Sequence, residues 1–363
     1  MMNNSSSRLA LVRGRCHEVY EYVANGKSSH WTLHTDNLSN VRLHIEKLIQ
    51  RDYDNDLNRI PMHSRLRHHP HLSEFEDVYG VERVVMDMLV VSCLLDAGAG
   101  DEWAYTTASE EGISIGRSEG IARAVQDAFL RDPEFGHASK LQSLTLRNLK
   151  DVFQVSLTNP MNGLENRLAI LHKLSHELES NEVFASTKRP SAFVDYLRKQ
   201  NGGDDELWEK VVMQGFARVY PKRDEWLHSE LNISVPFFKL QQWLTYPLLD
   251  ALQTFFPDLT LSTNIADMTA LAEYRNGGLF VDHQVLKAKY EFKGPLDMDS
   301  DAVIEWRACT VILCDELLKE MGKLTLPQLL EAGTWKAGRE MAALIRPTTK
   351  SSPVPLNLDG TIF

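Results

Sequence analysis

The run Val84-Val85-Met86-Asp87-Met88-Leu89-Val90-Val91-Ser92-Cys93-Leu94-Leu95 is the longest apolar stretch of the chain. Asp87 interrupts it, and it falls short of the ~20 residues that a membrane span needs. It therefore reads as a helix buried in a protein core. Outward from it, apolar residues recur at three- and four-residue spacing, and sustained two-residue alternation with β-branched residues is almost absent. The reading is an all-α, multi-helix globular protein. Helices are expected over residues 8–24, 37–51, 80–96, 116–130, 139–156, 161–180, 190–199, 204–219, 235–256, 264–276, 299–321 and 325–345. Asn201-Gly202-Gly203, Asn276-Gly277-Gly278 and Gly98-Ala99-Gly100 read as helix stops.

Composition narrows the function classes. The 363 residues are 43% hydrophobic and 25% charged, the mix of an ordinary globular protein. With 39 Lys and Arg against 50 Asp and Glu, the net charge of −11 gives no general attraction to nucleic acid or anionic membrane. Cys16, Cys93, Cys309 and Cys314 show no C-x-x-C spacing and read as reduced packing thiols of a cytoplasmic protein. The N-terminal residues 1–7 form a polar tail without the apolar core of a signal peptide, expected to be disordered. Residues 8–346 are expected to form a single helical domain with a possible lobe boundary near Asn201 to Asp205, and residues 347–363 an extended C-terminal segment.

Several constellations stand out. In Asp299-Ser300-Asp301-Ala302-Val303-Ile304-Glu305-Trp306-Arg307-Ala308-Cys309-Thr310-Val311-Ile312, Glu305 and Arg307 lie amid apolar positions of a capped helix. A charge removed from water needs a partner, and residues two apart on a helix do not face each other. Each of these two therefore needs a partner from elsewhere, either as a structural salt bridge or as part of a site. Leu271-Ala272-Glu273-Tyr274-Arg275-Asn276-Gly277-Gly278 places a carboxylate, a phenol and a guanidinium on what reads as the last turn of a helix. There Arg275 suits the helix C-terminus, and the glycines would admit a ligand or another backbone. The helix from Pro236 to Phe256 carries a polar stripe of Lys239, Gln242, Tyr246, Asp250 and Gln253, either a solvated face or the wall of a pocket, with Pro247 expected to kink it. The loop from His63 to His71 holds His63, Arg65, Arg67, His68 and His69: an exposed turn, an anion site built on the arginines, or a metal site without the usual helical spacing. Asp96 to Trp103 has glycines but neither the strand nor the Gly-Lys-Ser/Thr end of a P-loop. The N-terminus of the helix at Gly116-Arg117-Ser118-Glu119-Gly120 could hold an anion.

Together, His63-Ser64-Arg65-x-Arg67-His68, Asp96 to Gly100 with Trp103 and Tyr105, Gly116 to Gly120, Lys239-Leu240-x-Gln242-Trp243-Leu244, Leu271 to Gly278, Asp299 to Ala308 and Asp359-Gly360-Thr361-x-Phe363 resemble uracil-catabolism proteins of the fungal and bacterial Urc/Urg type. The resemblance covers essentially the whole chain. Phe238 departs from it, standing where a histidine is expected before the lysine. A weaker resemblance, through Asp96 to Trp103, Asn162 to Arg167, the Lys239 helix, Ala272 to Arg275 and Ile304 to Ala308, is to queuosine-salvage N-glycosidases, which are similar to helical DNA glycosylases. It implies a two-lobed helical architecture and cleavage of an N-ribosyl bond without a metal or cofactor. On that reading Glu273 stabilises the positive charge on the sugar or orients water, with Asp250 or Asp96 assisting the leaving group. His63, Arg65, Arg67, Arg117, Lys239, Gln242, Tyr246, Tyr274, Arg275 and Asn276 would bind a small ribosyl compound. Trp103 and Tyr105 would line its ring pocket, and Glu305 and Arg307 would brace the Glu273-Tyr274-Arg275 turn by crossed ion pairs. The expected reaction is hydrolysis of a ribosylurea or its 5-phosphate. The alternatives are a non-catalytic pathway partner and a metal-dependent amidohydrolase using the His63 to His71 tract. No nucleic acid or membrane partner is expected.

Overall fold

The computed structural model describes residues 8–69, 72–75, 80–96, 98–100, 102–107, 112–200, 206–259 and 267–357. The chain is mainly α. Its helices are α1 (Arg8–Ala24), α2 (Leu38–Tyr53), α3 (Val81–Leu94), α4 (Arg117–Arg131), α5 (Ala138–Ser143), α6 (Leu146–Val152), α7 (Leu164–Ser180), α8 (Phe193–Lys199), α9 (Lys239–Phe255), α10 (Tyr274–Asp282), α11 (Asp301–Met321), α12 (Leu326–Gln328) and α13 (Trp335–Ile345). Among the described residues, three short antiparallel ribbons accompany them: β1 (Trp31–Leu33) with β6 (Leu286–Ala288), β2 (Ala104–Thr106) with β3 (Ser114–Gly116), and β4 (Glu225–His228) with β5 (Ile233–Pro236). The sequence reading lacks these ribbons, because strands of three or four residues carry too little alternation to register.

The described chain divides into two compact units, neither continuous in sequence. The first gathers residues 8–63, 224–242 and 267–357; the second gathers 64–223 and 243–259. In the first, α1 packs along α11, α10 crosses α13, and α2 lies on a π-helical turn, Leu329–Thr334. Val12, Cys16, Val19, Trp31, Val41, Ile45, Val303, Trp306 and Leu329 are buried there, and the Trp31 indole donates to the Ala302 carbonyl at 2.7 Å. In the second, α3 packs on α4 and α5 on α7, around Met86, Leu89, Val90, Phe129, Leu171 and Leu174. The core run of residues 84–95 is buried throughout, as its composition requires.

Local chemistry redraws several expected boundaries. The helix expected over 139–156 is two, because Thr145 starts a new one with a capping box, its hydroxyl accepting from the Asn148 N–H. The helix expected over 264–276 is not formed across most of its described part: residues 268–273 are non-helical and α10 begins at Tyr274. α9 starts only after the β4–β5 ribbon and carries Pro247 inside it without ending. The tail of residues 1–7, the proposed boundary at 201–205 and the terminal residues 358–363 lie outside the described residues.

Candidate functional site

Glu273 sets the local structure of the first unit's candidate site. Its backbone is extended, and its carboxylate accepts from the N–H groups of Arg275 (3.0 Å) and Asn276 (2.6 Å), capping α10. The Glu-Tyr-Arg-Asn segment is thus the first turn of a helix, correcting its assignment to a last turn. Gly277 and Gly278 are inside α10, and Arg275 stands at the dipole's positive end. Gly277 is small for a packing reason: a Cβ there would lie 2.6 Å from Thr310 Oγ1 and 2.7 Å from Trp306 Nε1 of α11. Asn276, fully buried, donates to the Leu271 carbonyl and accepts from the Thr334 hydroxyl. The Glu273 carboxylate is almost entirely buried and fixed in place.

Glu305 and Arg307 do not form ion pairs with the Glu273-Tyr274-Arg275 turn; their partners correct that expectation. Arg307 makes a bidentate pair with Asp224, at 2.6 and 2.7 Å, and its Nε donates to the Ala272 carbonyl at 3.0 Å. Its guanidinium also lies 4.0 Å from the Phe237 ring centroid. Asp224 in turn accepts from the Lys239 N–H that opens α9 and from the Trp226 indole. Burial pushes the Asp224 carboxyl up, but the Arg307 charge and these hydrogen bonds outweigh it and leave the carboxyl below the usual range. Glu305 accepts from the Ser28 hydroxyl at 2.5 Å and lies 3.3 Å from His228 Nε2. So Arg307 braces the residue before Glu273 through a backbone carbonyl, while Glu305 ties α11 to β4 and the segment leading into β1.

Trp335, half-buried at the start of α13, gathers charge around it. The Arg275 and Arg339 guanidinium carbons lie 5.0 and 4.8 Å from its ring, and the His63 ring is 5.7 Å away. Arg275 also lies 5.3 Å from the Tyr274 ring, and His63 Nδ1 is 2.7 Å from Glu331. Cations placed over aromatic faces gain from the ring quadrupole. Lys239, half-buried, follows Phe238, a bulky buried residue held at φ 48°, a conformation that costs a side chain like this roughly 1–3 kcal/mol. Gln242 uses its amide within the fold, donating to Phe237 O and Thr269 Oγ1 and accepting from the Thr269 N–H.

The second unit holds the other expected site residues. Both Asp96 oxygens are engaged: Oδ1 with Arg65 (2.7 Å) and the Ser118 hydroxyl (2.6 Å), Oδ2 with the Trp243 indole (3.0 Å). Arg65 is fully buried and also donates to Ser92 Oγ and to the Ser118 hydroxyl and carbonyl, so it organises the Asp96 cluster from within. Arg167 holds the adjoining backbone through Leu95 O and Asn162 O, and burial lowers its pKa to about 10, leaving it charged at neutral pH. Trp103 and Tyr105 are core residues with their polar tips used, on Phe153 O and on Asp127. Tyr246 is fully buried, Asp250 is half-buried on α9 and Arg67 is exposed. The Arg117 side chain and His71 lie outside the described set.

Among the described residues, no three His, Cys, Asp or Glu side chains converge as a metal site would require. All four cysteines are buried and unpaired, as packing thiols are. The sequence reading missed Asp224, His228, Ser28, Trp335 and Arg339. The need for two partners was visible in Glu305 and Arg307, but those partners come from 77 to 277 positions away, beyond the reach of spacing rules.

The family described as "Protein of unknown function (DUF1688)" matches residues 7–363. The chain is 34% identical to Uracil catabolism protein 4 of Lachancea kluyveri over 98% of its own length and 97% of that protein's. It is equally 34% identical to Protein urg3 of Schizosaccharomyces pombe, over 97% of this chain and 96% of the relative. The capped Glu-Tyr-Arg-Asn turn and the Asp96 cluster thus belong to a chain that matches these relatives from end to end, and that chain is a member of the DUF1688 family.

Proposed function

We propose that this protein acts in uracil catabolism, as an N-glycosidase that hydrolyses a ribosylurea or its 5-phosphate to urea and ribose or ribose phosphate. The names of the two relatives support the pathway. The observation that carries the reaction is the Glu273 carboxylate, immobilised at a helix N-terminus beside Tyr274, Arg275 and Asn276. In such a hydrolysis the C1′–N bond breaks with its electrons going to the urea nitrogen. Water supplies the oxygen to C1′ and, in net terms, the proton to urea. A carboxylate held rigidly near the anomeric carbon stabilises the cationic sugar and orients that water without reorganising. Arg275, stacked between Tyr274 and Trp335, and Lys239 are the cations for a 5-phosphate. Arg65 is assigned instead to holding Asp96.

One observation favours the alternative of a non-catalytic pathway partner: both Glu273 oxygens already serve the cap. The two readings part at Glu273→Asp. Asp caps helices as well as any residue, so the fold survives, but the carboxylate withdraws by one methylene. Urea release from ribosylurea should then fall by at least roughly 100-fold, as expected for misplaced catalytic groups, with the melting temperature little changed. Wild-type protein releasing no urea from either compound would sink the glycosidase reading.

A further inference from the structure

Residues 328–335 of the first unit reach two places at once. The Gln328 amide donates to the Leu57 and Ile60 carbonyls at 3.0 and 3.2 Å, anchoring the stretch of chain that leads to His63. Glu331 meets His63 itself, its carboxylate 2.7 Å from Nδ1. On the other side, the Thr334 hydroxyl donates to Asn276 Oδ1 at 2.8 Å, and Trp335 has the Arg275 guanidinium carbon 5.0 Å from its ring centroid. Arg275 and Asn276 are the residues whose N–H groups bond the Glu273 carboxylate. One segment therefore fixes His63 relative to the Glu273 turn, and the Trp335 indole lies beside both, with the His63 ring centroid 5.7 Å from its own. Leu329–Thr334, which carries Glu331, is wound as a π-helix, a rare winding found frequently at functional sites. Packing alone would be served as well by an apolar pair, without the cost of desolvating a carboxylate.

The arrangement has the chemistry of a proton-transfer dyad. A carboxylate only accepts, so Nδ1 donates to Glu331, and the exchangeable proton is the one on Nε2. The same carboxylate stabilises the imidazolium. The charged groups around the imidazole are Glu331 of the π-helical turn and, across Trp335, Arg275 of α10 and Arg339 of α13. Hydrolysis of an N-ribosyl urea needs an acid, because a urea anion leaves poorly unless its nitrogen is protonated. The Asp96 oxygens are each already bonded inside the second unit.

We infer that His63 is the general acid of this reaction and Glu331 its positioning residue, an inference that rests on the glycosidase reading. The imidazolium gives its Nε2 proton to the urea nitrogen as that nitrogen takes the electrons of the C1′–N bond. Water forms the C1′–O bond, and the proton it loses returns to Nε2. The ring is regenerated, and the net change is the addition of water.

Urea release from ribosylurea, measured against pH with full-length wild type, His63→Asn and Glu331→Gln, tests this. Asn keeps an N–H near the Nδ1 position to bond Glu331 and removes Nε2. Its kcat should fall at least roughly 100-fold, as loss of a general acid does, with KM little changed and the circular dichroism of wild type. Wild-type kcat should decline at alkaline pH as the imidazolium loses its proton, and this limb should be missing from His63→Asn. In Glu331→Gln, which keeps the shape and a hydrogen-bond acceptor, the limb should move to lower pH, because the imidazolium has lost its counter-charge. A merely structural bond would leave the limb where it is. If one variant fails to fold, the other decides. A folded His63→Asn with more than roughly a tenth of wild-type kcat, or an unmoved limb in Glu331→Gln, would overturn the dyad, and the glycosidase reading would stand if Glu273→Asp is impaired. Wild-type protein that releases no urea overturns both. Activity lost in His63→Asn but kept in Glu273→Asp supports the dyad and removes Glu273 from the reaction.

Discussion

Arg307 and Asp224 illustrate what a buried charge requires of its surroundings. Each is almost completely buried, and the bidentate geometry satisfies both along with the Ala272 carbonyl. Truncating Asp224 to Ala strands a guanidinium in the core, which typically costs about 3–5 kcal/mol; denaturant unfolding of Asp224→Ala should show a midpoint lowered accordingly. Asp87 on α3 gives a test with pH. It accepts from the Ser191 N–H at 2.6 Å and has Arg189 Nε 3.4 Å away, yet burial dominates and raises its pKa from 3.8 to about 6. Between those values the native state binds more protons than the unfolded chain, so stability falls as pH rises from about 4 to about 6. Melting curves of wild type and Asp87→Asn across that window should converge at the acid end and favour the variant near pH 7. That Glu305 and Arg307 each needed a partner was legible from their spacing on a helix. Which residues those were was not, since His228 and Asp224 approach from a different part of the chain. Phe238 was also legible, as a departure from the family pattern, but its φ of 48° was not. Histidine tolerates the left-handed region better than phenylalanine, so Phe238→His should fold with a melting temperature at or above that of wild type.

At the scale of elements, α10 shows how one local pattern supports opposite readings. A pair of glycines after Arg275-Asn276 reads as a helix stop, but here both lie within the helix because neighbouring elements approach it closely. A Cβ at Gly338 of α13 would sit 2.2 Å from the Arg275 carbonyl, as one at Gly277 would meet Thr310 and Trp306 of α11. The decisive signal was Glu273, an uncommon N-cap whose long side chain reaches the N–H groups of Arg275 and Asn276. Gly→Ala in a helix interior ordinarily stabilises by about 0.5–1 kcal/mol. At Gly338 the clash is with backbone, which cannot swing away, so the sign should invert, with a loss of about 1–3 kcal/mol. If Gly338→Ala were instead more stable than wild type in thermal unfolding, the close crossing of α10 and α13 would be wrong. The long periodic helices α1, α3, α7 and α11 were legible within a few residues of their ends, because each buries enough apolar surface to impose its own period.

For the whole molecule, discontinuity matters more than any one contact. The first unit is built from both ends of the chain: α1 and α2 precede residue 64, whereas α10, α11 and α13 follow residue 267, and α1 packs on α11. Val12, Cys16 and Val19 of α1 are therefore buried only once a segment nearly 300 positions later has folded. Nothing in local spacing announces this, which is why a boundary sought in a polar stretch of sequence could not describe the units. Closing so long a loop adds little to the equilibrium cost, since loop entropy grows only logarithmically, but it makes the first unit depend on the complete chain. A chain ending at residue 263 retains α1, α2 and the β4–β5 ribbon but loses α10, α11 and α13. The burial of α1 alone is worth several residues at roughly 1.5–3 kcal/mol each, comparable with the whole stability of a domain. The truncated protein should accordingly lose more helical signal in far-UV circular dichroism than the deleted residues account for, bind a hydrophobic dye and self-associate on size exclusion. Full retention of helicity in residues 1–263 as a monomer would show that α1 and α2 fold without α11, and that the first unit is not held together by its two ends.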